Sequence, residues 1–338
     1  MTYTFPLVTQ LFLLILASYL IDGTYCFSVN DVNCDNIPFS VDANIVFDKD
    51  LNLSNCSRRE KGILRVINDP VIDCKGYEFI GFSDGTAIRV LGGATIKNCR
   101  FSKHIHSIFN IGGDSDKSTL SIQDCVFADG DVIVSDLSRN GKKVDVMVKD
   151  SHFQNIQLSG ISMYASGTLH IEGSRMYGEG DNFSTGIYVS GTIPMDSLTV
   201  KNVVIQSLSE GMKVIKTMTG DIDIGNVYVD NCPDGMSFQH DFDNLILRNV
   251  HISGSRNHGL DIFGIGSNVT GTILLNDISV CGDSNAVGIR FSDLDIANDP
   301  PNVEGDLICD KARHISASNQ EDDITSEYCT DSCSSLVS

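Results

Sequence analysis

The chain has 338 residues, 41% of them hydrophobic, and its 24 basic and 44 acidic residues give a formal charge of −20. This charge and the absence of any Lys/Arg run make nucleic acid and anionic membranes poor partners. Trp is absent, prolines are few, and the extended segments are rich in Val and Ile. The composition therefore favours short strands and turns over helices.

The first 26 residues are predicted to be a signal peptide. Their apolar segment, Leu11–Ala17, is too short to span a bilayer. Cleavage after Cys26 and cleavage after Gly23 both remain open, so the mature chain is expected to begin between Thr24 and Phe27. No later apolar segment is long enough for a transmembrane span, and the expected location is extracellular.

Four glycosylation sequons agree with a secretory route. Each has the Asn-x-Ser/Thr pattern that accepts an N-linked glycan, and such sites lie on the surface of secreted proteins. The predicted glycosylation sites are Asn52, Asn55, Asn182 and Asn268.

A repeat of 22 to 29 residues fills the middle of the chain. Each unit contains two short segments of alternating apolar residues joined by one Asn, Asp or Gly, as in Leu198–Ile205 and Ile222–Val229. The small joining residue lies at positions 76, 98, 124, 150, 173, 202, 226, 249 and 277. A Gly-apolar-any-apolar segment follows in most units, as in Gly211–Val214 and Gly235–Phe238.

Strands this short cannot bury a face alone, so the units must stack into a continuous core with strands about 4.8 Å apart. Parallel strands joined by crossovers take a right-handed path. The sequence therefore predicts an all-β, right-handed parallel β-helix of about nine coils and three sheets over residues 70–293. Helical solenoids are disfavoured because no unit has a face of period 3.6. The leucine-rich repeat is a weaker competitor, because its consensus is missing.

The joining Asn, Asp or Gly is expected to take a left-handed backbone conformation, and stacked Asn side chains can hydrogen-bond from coil to coil. In the glycine-led strands, alternation predicts which side chains face the core. The inward set is Ile187, Val189, Met212, Val214, Met236, Phe238, Leu260 and Ile262. The outward set is Arg89, Asn110, Ile133, Ser162, Tyr188, Lys213, Ser237, Asp261 and Arg290.

Both ends of the chain leave the repeat. Residues 27–69 are predicted to cap the N-terminal end, and residues 294–338 to form a C-terminal cap with an acidic, Ser-rich tail. Cys99 and Cys125 occupy the same place in consecutive units, which allows either an interior stack or a disulfide. Further cysteines cluster toward the two ends, and their connectivity is open: Cys34, Cys56, Cys74, Cys309, Cys329 and Cys333.

The repeat resembles the pectin-lyase-like superfamily of right-handed β-helices. Its later coils are similar to the polygalacturonases, the family-28 glycoside hydrolases, which carry Asn-Thr-Asp, Asp-Asp, Gly-His-Gly and Arg-Ile-Lys motifs on successive coils. Glu210 falls at the first motif's Asp and Asp234 at the second Asp of the pair. His258-Gly259 matches the His-Gly of the third motif, and Arg290 matches the Arg of the fourth.

The chain departs from those motifs at four positions. Leu208 and Ser209 replace the Asn-Thr, Pro233 replaces one Asp of the pair, and Ser292 replaces the Lys. One catalytic carboxylate and one substrate-binding Lys of the family are therefore missing.

The resemblance implies a groove that acts on or binds extracellular polysaccharide. Glu210 and Asp234 would form a carboxylate pair, which an inverting hydrolase holds about 6.5–9.5 Å apart, and repulsion would raise the pKa of one of them. Lys213 and Arg290 would bind a uronate. The candidate catalytic residues are Glu210, Asp234, His258 and Asp261. The candidate substrate-binding residues are Tyr188, Lys213, Gln239, His240 and Arg290.

Other interpretations remain. The same residues fill solvated turns in many proteins. A lyase would use Asp234, Asp261 and Arg290 with Ca²⁺, whereas a hydrolase implies no cofactor and no metal. His104 and His106 are either a metal-binding pair or ordinary surface histidines. A non-catalytic surface, cell-wall or adhesion protein would use the solenoid as a rigid display surface.

Overall fold

The computed structural model describes residues 39–52, 54, 63–81, 85–104, 106–111, 117–135, 143–179, 183–263, 272–282, 286–292, 302–309, 312–315, 321–324 and 329. Every regular element in these ranges is a β-strand, as the composition favoured. Within the same ranges, no helix is long and apolar enough to cross a membrane.

The first eighteen strands are short. They are β1 (Phe39–Val41), β2 (Ile45–Val46), β3 (Leu51–Asn52), β4 (Leu64–Ile67), β5 (Val71–Asp73), β6 (Glu78–Ile80), β7 (Thr86–Leu91), β8 (Ala94–Lys97), β9 (Arg100–Ser102), β10 (His106–Asn110), β11 (Lys117–Gln123), β12 (Val126–Phe127), β13 (Asp131–Val134), β14 (Lys143–Lys149), β15 (His152–Ile156), β16 (Ser159–Met163), β17 (Thr168–Glu172) and β18 (Arg175–Gly178).

The later strands include several that are longer. They are β19 (Thr185–Ser190), β20 (Ser197–Gln206), β21 (Glu210–Ile215), β22 (Ile222–Asp230), β23 (Asp234–Gln239), β24 (Leu245–Ser255), β25 (His258–Phe263), β26 (Ile273–Gly282), β27 (Val287–Ser292), β28 (Asn302–Cys309), β29 (Ala312–Ile315) and β30 (Glu321–Asp323).

The strands stack in parallel, coil upon coil, as a β-solenoid of two sheets. The 13-stranded sheet collects one strand from each coil between β1 and β29, including the glycine-led strands, and ends with the antiparallel β30. The 17-stranded sheet collects the segments on either side of the Asn/Asp/Gly position. These are separate strands in early coils, but β20 pairs with both β17 and β18 and is continuous. The prediction of three sheets was wrong, because in later coils the joining residue bends a strand without ending it.

The left-handed backbone conformation is confirmed at all nine joining positions. Their φ angles run from 47° at Asp150 to 88° at Gly76. Gly305 continues the series with a φ of 70°. The expected Asn ladder is also present: Asn226 donates to Asn202 Oδ1 at 3.0 Å, and Asn249 donates to Asn226 Oδ1 at 2.8 Å.

The core lies inside the coils. All eight residues of the predicted inward set are buried, which confirms that assignment. A column of aromatic rings fills the N-terminal half, where Phe101 stacks on Phe79 and Phe127 with centroids 5.2 and 5.1 Å apart. Phe153 extends the column at 4.5 Å from Phe127. Equivalent residues in successive units therefore form continuous interior columns.

One outward assignment was wrong. Phe109, not Asn110, pairs in register with Arg89 and Ile133. Asn110 is fully buried and donates a hydrogen bond to the Gly92 carbonyl at 2.9 Å. The pairing shifts register between His106 and Ile108, so counting from the regular units placed the strand one residue off.

Parallel pairing reaches beyond residues 70–293 at both ends. Strand β1 pairs with β4, and β28 and β29 continue the two sheets past β26 and β27. The right-handed path and the caps remain predictions.

The cysteine column contains both a disulfide and a free thiol. Cys74 is bonded to Cys99, and Cys125, one coil further on, is a buried free thiol whose pKa burial raises to about 12. A second disulfide joins Cys309 to Cys329. Cys34, Cys56 and Cys333 lie outside the described residues.

Candidate functional site

A column of glycines lies near the start of three neighbouring strands in the 13-stranded sheet. Glu210, Asp234 and His258 lie in register on β21, β23 and β25, and each is followed by glycine. A Cβ on Gly211 would lie 2.5 Å from the Gly235 carbonyl oxygen and 2.6 Å from a buried Val229 methyl carbon. Only glycine fits between these coils, so the chain packs tightly there. The preceding side chains are left partly exposed on the outer face.

A second row of polar residues lies three positions further along the same strands. Lys213, Ser237, Asp261 and Arg290 are paired in register across four neighbouring coils. The two rows border a groove of about 510 Å³. Its lining residues are Glu210, Lys213, Asp234, Met236, Ser237, Gln239, Arg256, Asn257, His258, Asp261, Val287 and Arg290.

Glu210 is held by Lys213. The Lys213 ammonium donates to Glu210 Oε1 at 3.0 Å and to Oε2 at 3.2 Å. Burial raises the pKa of the Glu210 carboxyl, and the charges of Asp234 and Asp261 raise it further, while Lys213 acts in the opposite direction. The net shift is upward, so this carboxyl keeps its proton more readily than an exposed Glu does.

The pKa of Asp234 is shifted in the opposite direction. Its burial would raise the pKa, but hydrogen bonds from His258 and Asn257, with the charge of His258, lower it below the ordinary Asp value. The Asn257 amide donates to Oδ2 at 3.0 Å, and His258 Nδ1 lies 3.4 Å from Oδ1. Two carboxylates on neighbouring strands are therefore shifted in opposite directions, as in an acid and base pair.

Asp261 is paired with Arg290 in a two-point arrangement. Arg290 Nε donates to Oδ1 at 2.8 Å, and the Nη2 group donates to Oδ2. The Asp261 side chain is only 6% exposed, so this ion pair is largely withdrawn from water. Both cations that the resemblance assigned to a uronate, Lys213 and Arg290, are thus bound to carboxylates of the chain itself.

Seven of the nine candidate residues line this groove. Gln239 is among them and donates to Ser237 Oγ at 3.0 Å. Tyr188 lies one coil before Lys213, outside the lining, with its ring 5.9 Å from that of Tyr164. His240 follows β23 with a φ of 99° and also lies outside the lining.

Sequence reasoning missed Arg256 and Asn257. Their backbone amides both donate to the Pro233 carbonyl, at 3.1 and 2.9 Å, which fixes the bend that brings Asn257 to Asp234. The two residues directly precede His258, and a search window that began two residues before each glycine-led strand would have included them.

The histidine pair does not form one site. His104 is buried, and desolvation lowers its pKa to about 4 despite opposing effects of a Phe79 backbone group and Asp129. His106 instead binds Asp131, with Nδ1 2.7 Å from Oδ1. Across the part of the chain that the structure describes, no group of three or more His, Cys, Asp or Glu side chains is arranged to hold a metal ion.

Asn52 is the one predicted glycosylation site within the described ranges. It is exposed at the end of β3, and its side-chain oxygen accepts a hydrogen bond from Ser54 Oγ at 2.9 Å. Asn55, Asn182 and Asn268 lie outside those ranges, and glycosylation remains a prediction at all four.

No protein-family model matches this chain, and no curated protein matches it closely enough to count as a relative. The architecture is a parallel β-solenoid. Membership of the pectin-lyase-like superfamily, and likeness to the family-28 hydrolases, rest on the residues quoted above and stay predictions.

Proposed function

We propose that the protein acts outside the cell as a polysaccharide hydrolase, with Glu210 as the general acid and Asp234 as the general base. The observation that carries the proposal is the opposite pKa shift of these two carboxyls on neighbouring strands of one groove. Pairs of titratable groups separated in this way are typical of acid and base assignments in glycosidases.

The reaction would use a glycosidic bond laid across the two carboxyls. Protonated Glu210 gives its proton to the glycosidic oxygen as the bond from C1 to that oxygen breaks. Asp234 takes a proton from a water molecule whose oxygen forms the new bond to C1. The products are two shorter chains, and exchange with solvent returns the proton from Asp234 to Glu210. Lys213 positions Glu210, while Asn257 and His258 keep Asp234 ionised.

The display role is favoured by a different observation. Each of the three groove carboxylates already has a polar partner within the chain, as in a purely structural ion-pair network. A rigid solenoid with such a surface would bind or present partners without chemistry. Absence of activity in the wild-type protein would support this role.

The test is a panel of purified polysaccharides with new reducing ends as the readout. Glu210→Gln and Asp234→Asn should each lower the rate by about 10²- to 10⁴-fold, the usual contribution of a general acid or base. Glu172→Gln and Asp223→Asn are matched controls, because these carboxylates also accept ion pairs but lie on the 17-stranded sheet. Equal activity in all four variants would contradict the proposal.

A further inference from the structure

Apart from His258, acidic and basic side chains are equal in number among the residues that line the groove. Its three carboxylates, Glu210, Asp234 and Asp261, are matched by three cations, Lys213, Arg256 and Arg290. Lys213 and Arg290 are each bonded to one of those carboxylates. Arg256 is exposed at the rim, where water screens its charge, and it has no ion pair among the described residues.

We infer that this groove selects uncharged glycan chains and disfavours chains rich in uronate. The inference rests on the proposed function in taking the groove as the glycan site. It departs from what the polygalacturonase likeness implies, in which the Arg and Lys are uronate ligands. Here the position of that Lys is Ser292, and the matching Arg290 is neutralised by Asp261.

Internal ion pairs suit hydroxyl groups better than carboxylates. Arg290 uses Nε and Nη2 for Asp261, and this two-point contact holds its guanidinium group in a fixed plane beside the groove. The carboxylates keep lone pairs that accept from a hydroxyl. A sugar hydroxyl both donates and accepts, so it can bind to either member of a pair.

An incoming uronate would meet the opposite conditions. It would approach the carboxylates of Glu210, Asp234 and Asp261, and like charges that meet at an interface repel one another. The formal charge of −20 on the whole chain adds a long-range repulsion. No unpaired buried cation among the groove residues offsets either effect.

The discriminating ligands are an oligogalacturonate and its full methyl ester, which share a backbone and differ in charge. Uncharged glucans and galactans complete the panel. Titration calorimetry of the wild-type protein at low temperature and neutral pH should give the tightest binding for an uncharged glycan. The methyl ester should bind roughly tenfold or more tightly than the free acid. Added salt should improve binding of the free acid by screening repulsion, and should leave the ester unchanged.

The sharpest variant is Asp261→Asn, which keeps the side-chain shape and releases the charge of Arg290. It should bring the affinity for the free acid up by roughly tenfold relative to the ester. Asp223→Asn is the matched control, because it changes the total charge equally but on the other sheet, and its preference should equal that of the wild type. If Asp261→Asn does not fold, the salt dependence of the wild type tests the inference alone.

The outcomes separate the two proposals. Equal or tighter binding of the free acid by the wild-type protein, weakened by salt, overturns the preference for uncharged chains. The hydrolase proposal then still stands or falls on the Glu210→Gln and Asp234→Asn rates. Binding of an uncharged glycan without cleavage supports the inference and removes the hydrolase. If no glycan binds, both fall.

Discussion

The outer faces of the two sheets carry the same kind of charge ladder in different surroundings. On the 17-stranded sheet, Asp223 lies 3.0 Å from Lys201 and 2.8 Å from Arg248. The Asp223 side chain there is 26% exposed, whereas the Asp261 side chain in the groove of the 13-stranded sheet is 6% exposed. Both ladders arise because equivalent positions of consecutive units stack in register.

The difference between the faces shows what the repeat alone provides. Stacking places opposite charges on neighbouring strands wherever the sequence alternates Lys and Asp, and such exposed pairs contribute little. The groove differs because the glycine column leaves no room for side chains between the coils, and because the bend at Arg256 and Asn257 adds two polar side chains to the lining. Burial then raises the pKa of Glu210, so this carboxyl keeps its proton more readily than the carboxyl of an exposed ion pair does.

The largest expected effect comes from breaking one pair on each face. Arg290→Met leaves the buried Asp261 carboxylate without its partner and should cost about 3–5 kcal/mol of unfolding free energy. Arg248→Met on the exposed ladder should cost under about 1 kcal/mol. Denaturant unfolding of both variants measures this. The double variant Arg290→Met with Asp261→Leu should recover much of the loss, and equal losses from the two single variants would contradict the comparison.

Sequence alone was sufficient where one local residue determines the backbone. Asn, Asp and Gly adopt a left-handed φ more readily than other residues, and the joining positions carry only these three types, so all nine were identifiable. It was insufficient where the count of residues per coil changes, as at Asn110, since only the paired neighbours define the register. The number of sheets also depends on whether hydrogen bonding continues through Asn202, which the residue type does not determine.

The candidate site was also predictable from sequence only in part. The column of Glu210, Asp234 and His258 followed from their equal spacing in the repeat. Their partners did not, because Asn257 reaches Asp234 from a bend and Arg290 reaches Asp261 across coils 29 residues apart in sequence. Which cation neutralises which carboxylate is a property of packing, and the choice between a uronate and an uncharged ligand depends on it.

His104 and His170 test whether burial, rather than residue type, determines how a histidine changes stability with pH. The pKa of buried His104 is lowered from 6.5 to about 4, whereas His170 is 39% exposed beside Glu172 on the charge ladder. The unfolded chain binds a proton at His104 near pH 6.5 and the folded chain resists it. About 3 kcal/mol of stability, present above pH 6.5, should therefore be lost as the pH falls toward 4.

His104→Phe should remove that part of the pH dependence, and His170→Phe should leave it unchanged. Unfolding free energies across this pH range provide the measurement. A slope that survives in His104→Phe would show that other groups, and not this buried ring, cause the acid sensitivity.

The pH profile of hydrolysis tests whether the groove ion pair, and not an exposed ion pair, controls activity. The rate should rise as the pH passes the lowered pKa of Asp234, and fall as it passes the raised pKa of Glu210. Lys213→Met removes a charge that lowers the pKa of Glu210, so the falling limb should move to higher pH. Lys149→Met, which removes an exposed partner of Glu172, should leave the profile in place. A falling limb that moves to lower pH in Lys213→Met would contradict the assignment of Glu210 as the acid.

The smallest expected effect belongs to the exposed ladder itself. Asp223→Asn removes the carboxylate shared by Lys201 and Arg248, and should change the unfolding free energy by less than about 1 kcal/mol. Water and salt screen this pair, so even that difference should disappear at high ionic strength. The loss in Arg290→Met should persist under the same conditions, because an uncompensated charge beside the core is not reached by mobile ions. Denaturant midpoints of the two variants in low and high salt give the comparison, and a salt-insensitive loss in Asp223→Asn would show that the outer ladder is as tightly coupled to the fold as the groove.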